Sequence, residues 1–264
     1  MSSSRYSLRT ENRTPPLLGW AEMDGFFVGT ESAWDAYESP SEEPGTVQVT
    51  LRGLDWLDAA ADRPTRTLEL GDTVLEVHNQ RGRTLGDYSL WDTRLTVPEG
   101  AAEARLTATI GTVPHVGAEW SWGQWWSGPP SRRNLWAELP VGQREGWLEV
   151  AQAIALREHR TPYPALTEKI DLDGRHIDDL ASFFCALGEA LAGPGGWCAS
   201  TVPGLADCLR HAPRAAGRPR LVWREMAVAE RGLARKVDAD GRTVTYFELI
   251  LDVLAEGSVE VVPA

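Results

Sequence analysis

Over roughly the first 150 residues, apolar and polar positions tend to alternate with a period of two. Thr46-Val47-Gln48-Val49-Thr50-Leu51 is a clear case, and this period belongs to a half-buried β-strand. Thr67–Leu70 and Thr73–Val77 flank Gly71-Asp72 and read as a hairpin turning at that pair. Tyr88–Val97, Arg105–Ile110, Leu135–Leu139 and Trp147–Ala151 are further strand candidates, and Leu54–Ala61 reads as one short helix. Gly, Pro, Asn and Asp fall between these runs, as short antiparallel strands require. The pattern predicts an antiparallel sheet, either a sandwich or one strongly bent sheet.

From Lys169 the period changes. Lys169–Asp173 is a short strand stopped by Gly174. Ile177, Leu180, Phe184, Leu187 and Leu191 recur at three- and four-residue steps and line one helix face. Asp178 or Asp179 is placed to cap that helix, and Gly193-Pro194-Gly195 ends it. A short helix over Gly204–Arg210, a strand at Arg220–Trp223, a helix over Glu225–Arg235, another over Thr243–Glu256 and a strand at Ser258–Val262 follow. Strands separated by helices imply parallel pairing with helices packed on the sheet. Residues 158–167 hold two prolines and no periodicity, which suits a linker. The expected organisation is thus a β-rich, Trp-rich domain over 1–157, a linker over 158–167, and an α/β domain over 168–264.

The chain has 264 residues, 42% of them hydrophobic, enough for two packed domains. No apolar run approaches the roughly 20 residues that span a bilayer, and no secretory signal opens the sequence. The odd set Cys185, Cys198 and Cys208 reads as reduced core thiols, so a cytoplasmic location is expected. The net charge of −12 disfavours nucleic acid and anionic membranes and favours a basic partner. Residues 1–167 carry 23 acidic and 15 basic side chains, and 168–264 carry 15 and 11, so both halves share the bias.

The segment Gly195-Gly196-Trp197-Cys198-Ala199-Ser200-Thr201-Val202-Pro203-Gly204-Leu205-Ala206-Asp207-Cys208-Leu209 resembles the barstar family of intracellular ribonuclease inhibitors. In that family an aromatic-glycine loop runs into a short helix ending Asp-Cys-Leu. The resemblance covers residues 168–264 and implies a three-stranded parallel sheet with helices. It also implies a partner surface containing Trp197, Ser200, Thr201, Gly204, Asp207 and His211. Asp207 stands at the helix end as an acceptor for an arginine or lysine of a basic cleft. Thr201, Val202 and Pro203 depart from the family's Asn-Leu-Asp, and a family carboxylate near the start of the last helix is replaced around Val244. The implied role is an inhibitor or immunity protein that occludes a ribonuclease or other toxin. That role involves no turnover chemistry and no cofactor. Oligomeric state is left unassigned.

A second aromatic concentration, Trp120, Trp122, Trp125 and Trp126, stands in a Gly/Pro-rich segment. It reads either as a surface stacking on a protein, sugar or base, or as a cover for one end of the sheet or the interface with the second domain. An interaction scaffold working through this region is the alternative function, and a carbohydrate-binding or hydrolytic role is a third. His78, His115, His159, His176 and His211 are scattered, and none has metal-ligand spacing. Asp171, Asp173, Asp178 and Asp179 cluster near one strand end, a pattern read as capping chemistry and not as a metal site. No phosphate loop, nucleophile elbow or paired-carboxylate motif is present.

Overall fold

A computed structural model describes residues 4–10, 16–29, 44–56, 67–98, 102–158, 163–215, 217–239 and 241–264. It is mixed α and β. By contact the chain divides into two compact units, Met1–Gly128 and Pro129–Ala264.

The first unit holds strands β1 (Tyr6–Thr10), β2 (Leu18–Trp20), β3 (Glu22–Asp24), β4 (Gly45–Arg52), β5 (Asp55–Trp56), β6 (Thr67–His78), β7 (Thr84–Thr96) and β8 (Glu103–Ile110), then helix α1 (Ala118–Trp125). The strands form one antiparallel sheet in the order β3-β4-β8-β7-β6-β1-β2-β5. Its two ends are joined through the chain. Leu18 pairs with Trp56, Gly19 with Asp55, Glu22 with Arg52, and Met23 with Leu51, all in one register. β2 with β3 is therefore one bent strand, as is β4 with β5, and the sheet closes on itself as a barrel. Closure leaves no long unpaired edge. Of the two architectures the alternation allowed, the single bent sheet is the one formed. Tyr6, Leu8, Leu18, Trp20, Val49 and Leu75 are buried at alternating positions, with the Tyr6 ring stacked on Trp20, which is the period of two expressed as a core.

Gly71-Asp72 is not a hairpin turn. β6 continues through it, and β7 pairs along both halves with register shifts around Gly71. Gly71 has φ 65°, so the left-handed residue makes a bulge that bends the strand. The real hairpin closes between His78 and Thr84. The short helix expected over Leu54–Ala61 is contradicted at Asp55–Trp56, which is strand, and its remainder, 57–61, lies outside the described residues.

The second unit begins with a 3-10 turn at Leu135–Glu138 and helix α2 (Arg144–Glu158). The sequence pattern predicts strands for Leu135–Leu139 and Trp147–Ala151, and the structure contradicts both. Trp147, Leu148, Ala151 and Ile154 are buried at helical spacing in α2, and this apolar run is compatible with either period when read locally. β9 (Lys169–Asp173), α3 (Leu180–Ala192), α4 (Val202–His211), β10 (Arg220–Arg224), α5 (Met226–Gly232), β11 (Lys236–Ala239), β12 (Arg242–Thr245), α6 (Tyr246–Glu256) and β13 (Glu260–Pro263) follow. β13, β10 and β9 form a parallel sheet in that order. α3 packs on β9, α6 on β13, and α4 on α6. Phe183 lies 5.6 Å from Trp223, and Trp223 5.7 Å from Phe247, at the centre of this core.

The unit boundary falls before α2, not at 157/168, because α2 packs on α3. Arg144 of α2 is buried. Its Nη1 donates to the His176 carbonyl at 3.1 Å, to Asp178 at 3.0 Å and to Ser182 Oγ at 2.7 Å. The expected linker is only partly described, since 159–162 (including His159) lie outside the described residues. Its remainder packs on the second unit, where Leu166 is buried and its N–H donates to the Pro213 carbonyl. Among the described residues no helix is long and apolar enough to cross a membrane.

Candidate functional site

The aromatic-glycine loop rests on α3 through two adjacent residues. Gly188 lets the loop approach, because a β-carbon there would collide with the Gly196 carbonyl oxygen. Glu189, 1% exposed, supplies the polar tie. Its Oε1 accepts from Gly195 N at 3.1 Å, and its Oε2 accepts from Asn134 N at 2.8 Å and Trp136 Nε1 at 3.2 Å. One buried carboxylate thus satisfies donors from the loop and from the 3-10 turn. Burial pushes its pKa up while the three donors oppose that shift.

The loop carries Trp197 half-buried, with Nε1 donating to Ser200 Oγ at 2.8 Å. Ser200 is itself buried. Thr201 is the N-cap of α4, its Oγ1 accepting from Gly204 N at 3.0 Å. Pro203 sits in the first turn, where a missing N–H costs nothing. Leu205, Cys208 and Leu209 form the buried face of α4, while Asp207 and His211 are exposed. Asp207 pairs with Arg210 at 2.9 Å on its own helix, and His211 stacks on Tyr163 at 6.1 Å.

Of the six residues expected at a partner surface, Trp197, Asp207 and His211 therefore present surface. Thr201 and Gly204 build the helix start. Ser200 is corrected from surface to support, because its hydroxyl is turned to the Trp197 ring and shut from water. Val244 is not at the helix start but in β12 opposite Val237. The carboxylate at that helix start is Glu248, whose Oε2 accepts from Thr245 N at 2.8 Å in a capping box. Along the exposed side of α6, Glu248, Asp252 and Glu256 follow at four-residue steps, which puts three carboxylates on one stripe. All three cysteines are buried and free; burial pushes the Cys185 thiol up, and the neighbouring Cys208 side chain, with burial, pushes the Cys198 thiol up.

In the first unit, Trp120–Trp125 lie in α1 rather than in an open loop. Trp122 and Trp125 are buried, which removes them from any surface; Trp120 and Trp126 are half-buried. The Trp122 ring fits the space left by Gly86, and its Nε1 donates to the Tyr88 hydroxyl at 2.9 Å. The structure also joins residues that the sequence kept far apart. Ser7 Oγ is 2.8 Å from His78 Nε2 and 3.3 Å from Glu76 Oε2. The spacing is that of a nucleophile and its base. However, the carboxylate bonds the serine instead of orienting the imidazole, and Ser7 is 2% exposed. The cluster is a cross-strand tie, visible only once β1 and β6 are in register.

The acidic cluster resolves into separate tasks. Asp179 caps α3 by accepting from Ser182 N at 2.8 Å, Asp178 pairs with Arg144, Asp173 with Arg175, and Asp171 with Lys169 and Arg224. Among the described residues no group of His, Cys, Asp or Glu is arranged to hold a metal ion. In comparisons with known proteins, no family model, no curated protein and no solved structure matches this chain.

Proposed function

We propose that this protein binds and occludes a basic protein partner, a ribonuclease or other toxin, through the Gly193–Ser200 loop and α4 of its second unit. The observation that carries the reading is the rigid seating of that loop. Gly196 rests on Gly188, Gly195 is tied to Glu189, and Ser200 fixes the Trp197 ring. A pre-set aromatic anchor loses little entropy on binding. Supporting it are the exposed Asp207 on the following helix, the carboxylate stripe on neighbouring α6, and the net charge of −12. The order strand, two helices, strand, helix, helix, strand around a parallel sheet is also the order of barstar-like domains, here with the β11–β12 hairpin added before the last helix.

Asp207 spends its charge on an exposed pair with Arg210. Such pairs are worth about 0–1 kcal/mol, so an arginine of a partner displaces Arg210 at small cost. Occlusion needs no bond made or broken, so the reading assigns no catalytic residue. Pro203 stands where the family has its first aspartate, so a generic extracellular ribonuclease binds poorly.

The test is affinity capture from the native host with the whole chain as bait, followed by mass spectrometry and titration calorimetry. A basic protein is expected, and Asp207→Ala weakens it by more than about 2 kcal/mol if the pair becomes desolvated. Equal affinities for wild type and variant, or a captured partner that is acidic, would sink the proposal.

A further inference from the structure

The parallel sheet of the second unit has two unlike faces. Ile170, Leu172, Leu221 and Trp223 are buried on the side of α3 and α6. On the other side stand Lys169, Asp171, Asp173, Arg220, Val222 and Arg224, exposed or half-buried. A cavity of about 640 Å³ opens at the carboxyl ends of β9 and β10, walled additionally by Arg133, Asn134 and Arg175.

Three guanidiniums from three separate segments therefore meet there, and two of them are held in place. Arg175 Nη2 donates to Asp173 at 2.6 Å, and Asn134 Nδ2 braces the same carboxylate at 3.1 Å. Arg224 Nη2 donates to Asp171 at 3.1 Å, and Lys169 also lies 3.1 Å from that carboxylate. Each guanidinium has five N–H donors in a fixed fork, so most of those on Arg224 and some of those on Arg175 are left for a ligand. Among the described residues Arg133 makes no hydrogen bond or salt bridge, and its charge acts on the buried Glu189 carboxyl. Among the residues that line the cavity, the cations Arg133, Arg175 and Arg224 match the carboxylates Asp171, Asp173 and Glu225 three to three. The cavity wall is thus neutral on a chain of net charge −12.

We infer that this cavity binds a small phosphate-bearing molecule of mononucleotide size, its phosphate bridging Arg133 to the oriented forks of Arg224 and Arg175. The volume lies within the range of about 300–1,000 Å³ usual for small-molecule sites. Planar guanidinium forks match phosphate oxygens better than a point charge does. Arg175, bonded to the half-buried Asp173 through both Nε and Nη2, has its fork oriented before the ligand arrives, so less of its side-chain freedom is lost on binding. The site is separate from the loop and α4 surface, and stands or falls independently of the proposed partner.

Titration calorimetry of the whole chain with inorganic phosphate, adenosine monophosphate and succinate tests this. Saturable binding is expected for the two phosphates, tighter for the nucleotide and weaker as salt is raised. Arg133→Ala should lower the nucleotide affinity about tenfold with little change in melting temperature, since its exposed guanidinium gives up only a charge interaction with Glu189. Arg224→Lys, which keeps the charge and loses the fork, should lower it as well. If Arg224→Lys fails to fold, Arg133→Ala decides alone. No saturable binding up to about 10 mM of either phosphate, wild-type affinity in Arg133→Ala, or tighter binding of succinate than of the nucleotide would each overturn the inference.

Discussion

Replacing Glu189 by alanine removes the acceptor for three donors at once: Asn134 N, Trp136 Nε1 and Gly195 N. A buried donor left without a partner costs about 1–3 kcal/mol. Trp136 is fully buried and bears that cost in full, while Asn134 and Gly195 are half-buried and recover water in part. Releasing a buried carboxylate gives some of it back, since burial is what raises the Glu189 pKa. The net loss expected for Glu189→Ala is about 3 kcal/mol. Glu189→Gln keeps one carbonyl oxygen for Asn134 and Trp136 and loses only the Gly195 bond, so it should lose about 1–2 kcal/mol. Urea unfolding of the whole chain, followed by tryptophan fluorescence, measures both. The pH dependence carries a fixed sign. A carboxyl whose folded pKa is raised contributes stability that is full below its unfolded value of about 4.3 and declines as pH rises through the folded value. Wild type should therefore lose stability relative to Glu189→Gln as pH climbs from about 4 through that range. An alanine variant within about 1 kcal/mol of wild type would refute the account of the loop's seating.

A fragment beginning at Pro129 should fold alone, whereas one beginning at about residue 165 should not, because it lacks α2 and leaves the α3 face bare; circular dichroism with thermal melting distinguishes the two. Gly188→Ala should push the Gly196–Trp197 loop off α3, lowering the melting temperature and shifting Trp197 emission, whereas an unchanged emission spectrum would contradict the contact. Gly86→Ala should expel the Trp122 ring, at about 1–3 kcal/mol by overpacking, read by chemical denaturation. Arg175 lowers the Asp173 pKa to about 2, so that pair's stability is present above about pH 4 and lost as pH falls toward about 2. The stability gap between wild type and Arg175→Ala should close across that acid window.

The sequence by itself determined the elements whose period was unambiguous. Val47-Gln48-Val49-Thr50-Leu51 could only alternate in and out of a sheet, and Leu180 to Leu191 could only line a helix. The letters place the cap of that helix at Asp178 or Asp179 and its end at Gly193, because caps are local chemistry, and the structure selects Asp179. Trp147–Ala151 reads as strand in the letters and is helix in the fold, since a short apolar run fits either period until something packs against it. The tertiary structure alone decided that Gly71 is a bulge, because only the pairing of β7 with both halves of β6 shows it. It alone closed the barrel, through a register shared by residues more than 25 apart. It alone turned Ser200 inward, joined Glu189 to Gly195 and Trp136, and drew Arg133, Arg175 and Arg224 to one cavity. The division has a physical cause. Periodicity and capping act within a few residues, whereas register, burial of a polar group and the meeting of distant charges depend on chain segments that become neighbours only on folding.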